Sequence, residues 1–307
     1  MVRKTKPKGG SRMRLERANA KINLYLNVLS RREDGYHRIQ SVMQTVSLCD
    51  LISLDFYPSA HTSIRMQASG DPSLPTDCRN LAFRAAERLL AHTGRSGAVE
   101  IRLEKHIPVA AGLAGGSADA AAVLRGLNAL LGSPLSTEEL LTLGAGLGAD
   151  VPFCIRGGCA EVGGIGEELA QVPSMVSRPL LVACLGEGVS TPWAYAELDR
   201  RYGNFAEARE EDGRLSRLLS ALEKGEDIAW TGALYNVFEE AVLPQRPGAL
   251  ALRRAMLDGG ACAAMMSGSG PSVFGLFSDE QTAAATLEAL RGMGAKAFLC
   301  YPRDAIC

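Results

Sequence analysis

Lys21 and Asn23 stand two residues apart in a stretch where Ile22, Leu24, Leu26 and Val28 alternate with polar or amphipathic neighbours. Alternation is the pattern of a strand with one buried face, so Lys21 and Asn23 share the other face. That face is either wet surface or the wall of a pocket for a charged group. The densest chemistry lies further on, in Pro108, Val109, Ala110, Ala111, Gly112, Leu113, Ala114, Gly115, Gly116, Ser117 and Ala118. Small residues and glycine here run into an Ala/Leu-rich segment that reads as a buried helix from Ser117 to about Leu131. The first-turn N–H groups of a helix have no partner within it, and the peptide dipoles add partial positive charge. A glycine-rich approach lets a bulky anion come close, so this loop is a candidate phosphate cradle. The same composition also suits an ordinary strand-to-helix turn. Neither the Walker A nor the Rossmann glycine spacing is present.

Other residues keep this loop company. Tyr36 and His37 follow the turn dipeptide Asp34-Gly35, on a rim where a flat ring beside an imidazole suits a nucleobase. Asp150 sits among apolar neighbours with Pro152 close behind, and by itself it reads as a helix N-cap. Thr191 and Tyr195 fall where a loop enters a helix, with Pro192 near the first turn. A second glycine loop, Ser267-Gly-Ser-Gly-Pro-Ser272, separates two strand-like segments. It is either a hairpin turn or a flap closing over the first loop.

The positioning elements follow from pattern and caps. Strands are expected across 42–54, with a break near Cys49-Asp50, and at 99–103, 159–162, 180–185, 261–266, 273–277 and 297–301. Helices are expected at 80–92 with Gly94 as its stop, after the capping box Ser136-Thr-Glu-Glu139, and at 215–222, 234–243, 250–257 and 282–290. Residues 1–14 are basic and free of acid, and read as a disordered tail without assigned function. The pattern loosens around 171–178, which divides the chain into 15–176 and 177–307.

Composition bounds the rest. The 307 residues suffice for two domains with a cleft between them. A net charge of −1 gives no basic footprint for nucleic acid, and no apolar run is long enough to span a membrane. Eight scattered cysteines and four histidines make no zinc pattern. Without a secretory leader pattern, the cysteines read as reduced thiols in a cytoplasm.

Five segments together carry a resemblance: Ala20-Lys-Ile-Asn-Leu, Asp34-Gly-Tyr-His, Pro108-x3-Gly-Leu-Ala-Gly-Gly-Ser-Ala, Gly148-Ala-Asp-Val-Pro-Phe and Ser267-Gly-Ser-Gly-Pro-Ser. In this order they resemble the GHMP small-molecule kinase superfamily, over nearly the whole chain. The resemblance implies an α+β fold of two domains, the first like ribosomal S5 domain 2 and the second ferredoxin-like, with the active-site cleft between. Within the superfamily it points to the branch that moves the ATP γ-phosphate, with Mg²⁺, to the 2-hydroxyl of a cytidine-diphosphate-linked methylerythritol in non-mevalonate isoprenoid synthesis. It implies Lys21 and Asp150 as the catalytic pair and 108–118 as the ATP loop. Asn23, Tyr36 and His37 fall on substrate-binding positions, with Thr191 and Tyr195 as the second wall of the cytosine pocket. Tyr36 and Tyr195 would then sandwich the base while His37 reads its edge. Ala114 and Ala118 depart from the Gly and Ser often found there. The resemblance identifies no Mg²⁺ ligands and no oligomeric state. A homoserine- or mevalonate-type kinase, or a nucleotide sensor without turnover, would share the loop. The Asp-Gly-Tyr-His stretch argues against the first and the pair Lys21 and Asp150 against the second.

Overall fold

The structure is a computed structural model that describes residues 12–186, 188–203, 213–230 and 232–305. Its longest elements are β1 (Arg12–Arg31) and β2 (His37–Pro58), which pair antiparallel along almost their whole length. The turn between them forms where Asp34 Oδ1 accepts from the Tyr36 N–H at 3.1 Å. β1 begins at Arg12, so the last three residues assigned to the tail are strand, and Arg14 donates to Glu16 at 2.8 Å. The rest of the tail assignment lies outside the described residues. β2 is unbroken at Cys49-Asp50, because the Asp50 side chain turns inward and finds partners there.

The central part of β1 is buried on both faces. Ile22 and Leu24 are buried as expected, but so are Lys21, Asn23, Tyr25 and Asn27. Of the two readings of that face, wet surface and pocket wall, the first does not hold, since the sheet is covered on both sides. β4 (Gly97–Glu104) pairs with β2, and β3 (Ser63–Ser69), absent from the sequence pattern, pairs parallel with β4. β5 (Cys159–Gly163) also pairs with β2 and carries β6 (Glu168–Val172), another strand without an alternating signal.

Four helices cover one side of this sheet. α1 (Leu81–Thr93) is capped by the Asn80 side chain and stopped by Gly94 in the left-handed region. α2 (Gly115–Leu130) is alanine-rich and buried along most of its length. α3 (Thr137–Ala145) has the expected Ser136–Glu139 capping box, and the short α4 (Val151–Arg156) follows Asp150.

The second sheet contains β7 (Leu180–Cys184), β9 (Ala263–Met266), β10 (Val273–Leu276) and β11 (Lys296–Cys300), in the spatial order β11-β7-β10-β9. All its pairs are antiparallel, which with the intervening helices is the ferredoxin-like split pattern. Between β7 and β9 run α5 (Thr191–Arg201), α6 (Arg214–Lys224), α7 (Phe238–Val242) and α8 (Pro247–Asp258); α9 (Glu280–Gly292) precedes β11. The expected helix over 234–243 is instead β8 (Tyr235–Asn236), α7 and the start of a 3-10 turn. β8 leaves the helical path to pair parallel with Tyr25 and Leu26 of β1. The charged stretch 204–212 lies outside the described residues.

The halves are interleaved. Leu26, Val28 and Ile39 of the first sheet pack in one cluster with Leu181, Leu198 and Phe277. Gln44 on β2 donates to the Arg303 carbonyl at 2.9 Å and accepts from the Met175 N–H at 3.0 Å. Val46 bridges to Pro302.

Candidate active site

A cleft of about 1040 Å³ opens between the two halves, lined by strand residues of the first sheet and by loop and helix residues of the second half. The loop before α2 forms its floor. Ala110, Gly112 and Ala114 have positive φ, at 52°, 78° and 56°. The scaffold holds this shape by its carbonyls. The Ala110 carbonyl accepts from the Val189 N–H, that of Ala111 from the Ser272 N–H, and that of Leu113 from the Lys21 N–H. The Gly112 carbonyl accepts from the Lys21 ammonium at 3.2 Å and from the Ser267 hydroxyl at 3.1 Å. A Cβ on Gly112 would lie 2.1 Å from the Ser267 carbonyl oxygen, so only glycine allows the two glycine loops to meet. β9 and β10 make the second loop a hairpin turn, and that turn packs on the first loop.

α2 begins at Gly115, two residues earlier than expected, and Ala114 at its N-cap position supplies no side-chain cap. The first-turn N–H groups of Gly115, Gly116 and Ser117 therefore face the cleft without a cap. Ala118 ends the expected ATP loop inside the helix. It is buried, and its N–H already closes the helix on the Ala114 carbonyl at 2.9 Å.

Lys21, 4% exposed, aims its ammonium at this floor. It donates to Asn23 Oδ1 at 2.7 Å and stands 3.9 Å from Asp150 Oδ2. Asn23 passes the chain on, donating to Ser41 at 2.8 Å, and Ser41 donates to the Tyr25 carbonyl at 2.6 Å. Asp150 occupies the N-cap position of α4 but caps nothing, and its side chain is 31% exposed. The bland N-cap role is thus not taken up, and the carboxylate stays available to the cleft. Ser117 and Asp150 both line that space.

The far end of the cleft is aromatic. Tyr36 is 61% exposed on its rim. His37 is buried, its Nε2 2.7 Å from Asp199 Oδ1 and its ring stacked on Tyr195 at 4.7 Å and 23°. Tyr195 in turn meets Phe238 edge-on. His37 covers one face of the Tyr195 ring, so a base sandwiched between Tyr36 and Tyr195 has only the other face to meet. Burial, and after it the field of Asp150, raises the Tyr195 hydroxyl above its usual range. Thr191 meets Ser269 of the second glycine loop at 3.1 Å.

The chain matches known proteins along most of its length. The family described as GHMP kinases N terminal domain matches residues 80–158, and GHMP kinases C terminal matches 215–296. A 4-diphosphocytidyl-2-C-methyl-D-erythritol kinase of Gloeobacter violaceus is 45% identical over 94% of this chain and 94% of its own length. That of Alkaliphilus metalliredigens is 39% identical over 89% of this chain and 91% of its own. The chain belongs to the 4-diphosphocytidyl-2-C-methyl-D-erythritol kinase family of GHMP kinases. A crystal structure of 4-(cytidine 5'-diphospho)-2C-methyl-D-erythritol kinase superposes with a TM-score of 0.77 at 34% identity, covering 94% of this chain and 99% of that one. A homoserine kinase from Cytophaga hutchinsonii superposes at 0.72 with 20% identity, over 99% of this chain and 98% of its own, and shares the fold alone.

Two features of this GHMP kinase cleft escaped the sequence reading. Asp199 is one. The other is a buried cluster under the loop, where Lys105 donates to Asp50 and to Asp119, each at 2.6 Å. Asp50 also accepts the N–H groups of His106 at 2.6 Å and Ile107 at 2.8 Å, tying down the strand end that feeds the loop. Asp119, on α2, ties down the other arm. Burial, with the Asp50 carboxylate and against the Lys105 ammonium, pushes Asp119 up to about 7. The His106 ring meets the Cys49 carbonyl at 3.1 Å and Glu104 at 3.0 Å. No helix of the described residues is long and apolar enough to cross a membrane.

Proposed function

We propose that this chain transfers the γ-phosphate of ATP to the 2-hydroxyl of 4-diphosphocytidyl-2-C-methyl-D-erythritol, giving the 2-phosphate and ADP, within isoprenoid biosynthesis. One observation carries this beyond family membership. The Lys21–Asp150 pair, an uncapped helix N-terminus and an aromatic rim line a single cleft.

Phosphoryl transfer asks mainly for alignment and for charge around the transferring group. The amides of Gly115, Gly116 and Ser117 hold the β- and γ-phosphates. Pro108, Val109 and Ala110 to Ala114 border the same nucleotide. Asp150 accepts the proton that the acceptor hydroxyl loses as the new P–O bond forms. Lys21, fixed by Asn23 and the Gly112 carbonyl, steadies Asp150 and the acceptor oxygen. Tyr36 and His37 receive the cytosine ring, with Thr191 and Tyr195 closing the pocket from the other half.

Mg²⁺ fits this donor set. A hard cation bound with a nucleotide takes much of its coordination from the phosphates and water. The Ser117 hydroxyl, which lines the cleft beside those amides, would hold it with the phosphates, and bound there it would share the phosphate charge. The cysteines among the described residues are free thiols, which suits work in the cytoplasm.

The test is ADP release with the cytidylyl acceptor, homoserine and mevalonate offered in turn. Turnover with the first alone is expected. Turnover with homoserine or mevalonate only, or ATP binding without ADP release from any acceptor, refutes the reading.

A further inference from the structure

The acceptor end of the cleft holds a carboxylate that the reaction itself does not use. Asp199 lies in the last turn of α5, and its side chain is only 14% exposed. A negative charge at a helix C-terminus is disfavoured by the peptide dipoles, so this position needs compensation from outside the helix. It receives it from the other half of the molecule. Asp199 Oδ1 is 2.7 Å from His37 Nε2, and Oδ2 is 3.5 Å from Arg31 Nη1. Tyr195 precedes Asp199 by four residues on α5, so ring and carboxylate share a helix face. The two grip one imidazole, Tyr195 on its face and Asp199 at its edge.

We infer that Asp199 is a positioning residue that fixes the orientation and protonated nitrogen of His37, and through them the preference of the pocket for a 4-amino over a 4-oxo pyrimidine. A carboxylate only accepts, so the partner nitrogen must carry the hydrogen. In the triad of serine proteases a buried aspartate sets a histidine tautomer by the same bond. Cytosine and uracil differ at the ring edge in whether they donate or accept at position 4. A site whose imidazole has one fixed pattern of donor and acceptor discriminates between them, because the wrong base leaves buried polar groups unpaired.

This rests on the acceptor being a cytidylyl compound, so the test includes a readout without turnover. Binding of cytidine 5'-diphosphate and uridine 5'-diphosphate is measured by calorimetry on the wild type, Asp199→Ala and the near-isosteric Asp199→Asn. Nitrogen-15 spectra of the histidine rings follow the tautomer of His37 in each. The wild type should prefer the cytidine compound. Loss of one well-placed hydrogen bond should cut that preference by about tenfold in Asp199→Ala. In Asp199→Asn, whose amide either donates or accepts, it should fall at least about threefold, with a mixed His37 tautomer. In turnover, KM for the acceptor should rise while KM for ATP stays within about twofold. An undiminished preference and unchanged His37 spectrum in the folded variants overturns the role of Asp199 and leaves the kinase reading intact. A wild type that binds both diphosphates equally also overturns it. An Asp199-dependent preference in a protein that releases no ADP upholds the role of Asp199 and sinks the kinase reading.

Discussion

At its phosphate end the cleft is made of backbone from one contiguous segment; at its acceptor end it is made of side chains from elements far apart in the chain. The floor needs amides pointing one way, and the scaffold achieves this by occupying the carbonyls of Ala110, Ala111, Gly112 and Leu113. The rim needs rings and charges at set positions, and Tyr36, His37, Tyr195 and Asp199 meet there across the two halves. Binding any triphosphate asks for the first kind of site, whereas choosing one base asks for the second.

The largest separation between chemistry and binding should come from Asp150→Asn and Lys21→Met. Each should lower the rate of the chemical step by about 10² or more in single-turnover assays, with calorimetric affinities for ATP and the acceptor kept. Normal turnover in either variant would remove that residue from its role. Gly112→Val attacks the floor alone. The new Cβ meets the Ser267 carbonyl and sits at a φ of +78°. Strain of roughly 1–3 kcal/mol should appear as a lower melting temperature, with ATP binding lost more than cytidine diphosphate binding. An equal loss at both ends would mean that floor and rim are one cooperative unit. Tyr36→Ala attacks the rim alone. Removing a stacking ring should weaken cytidine diphosphate binding by about tenfold and leave ATP binding unchanged.

The smallest effect concerns the cluster under the floor. The folded Asp119 carboxyl lies near 7, above its ordinary value of 3.8. The folded protein therefore holds a proton that the unfolded chain has already released, and stability declines as pH rises from about 4 to 7. Asp119→Asn lacks this titration. Its stability in urea, compared at pH 5 and pH 7, should change less than that of the wild type.

The same contrast governs what could be read from residue order. The glycine loop, the helix after it, the Asn80 and Ser136 caps and the hairpin around the second loop are local, so spacing and composition announce them. Placing Lys21 on the face opposite Ile22 was sound. Its burial depends on the loop before α2 and the Asp150 segment closing over that face, which no local pattern encodes. Asp199 and His37 are separated by 162 positions, and neither neighbourhood signals the other. β3 and β6 carry half-exposed, irregular patterns that no spacing rule picks out, while β8 is two residues long and is placed by distant partners, Tyr25 and Leu26 in β1 and the Met266 and Gly268 carbonyls. Ala118 marks where local spacing stops being informative: from this residue the helix consumes its own amides, and a motif window does not show that boundary.

The strand lent by Tyr235 and Asn236, and the return of Pro302 and Arg303 to β2, bear on the order in which the protein comes off the ribosome. With synthesis at about 5–20 residues per second, the first half waits many seconds with Leu26, Val28 and Ile39 uncovered. A nascent chain ending near position 176 is thus a natural client for chaperones, and severing the gene there should yield two insoluble fragments rather than two working domains.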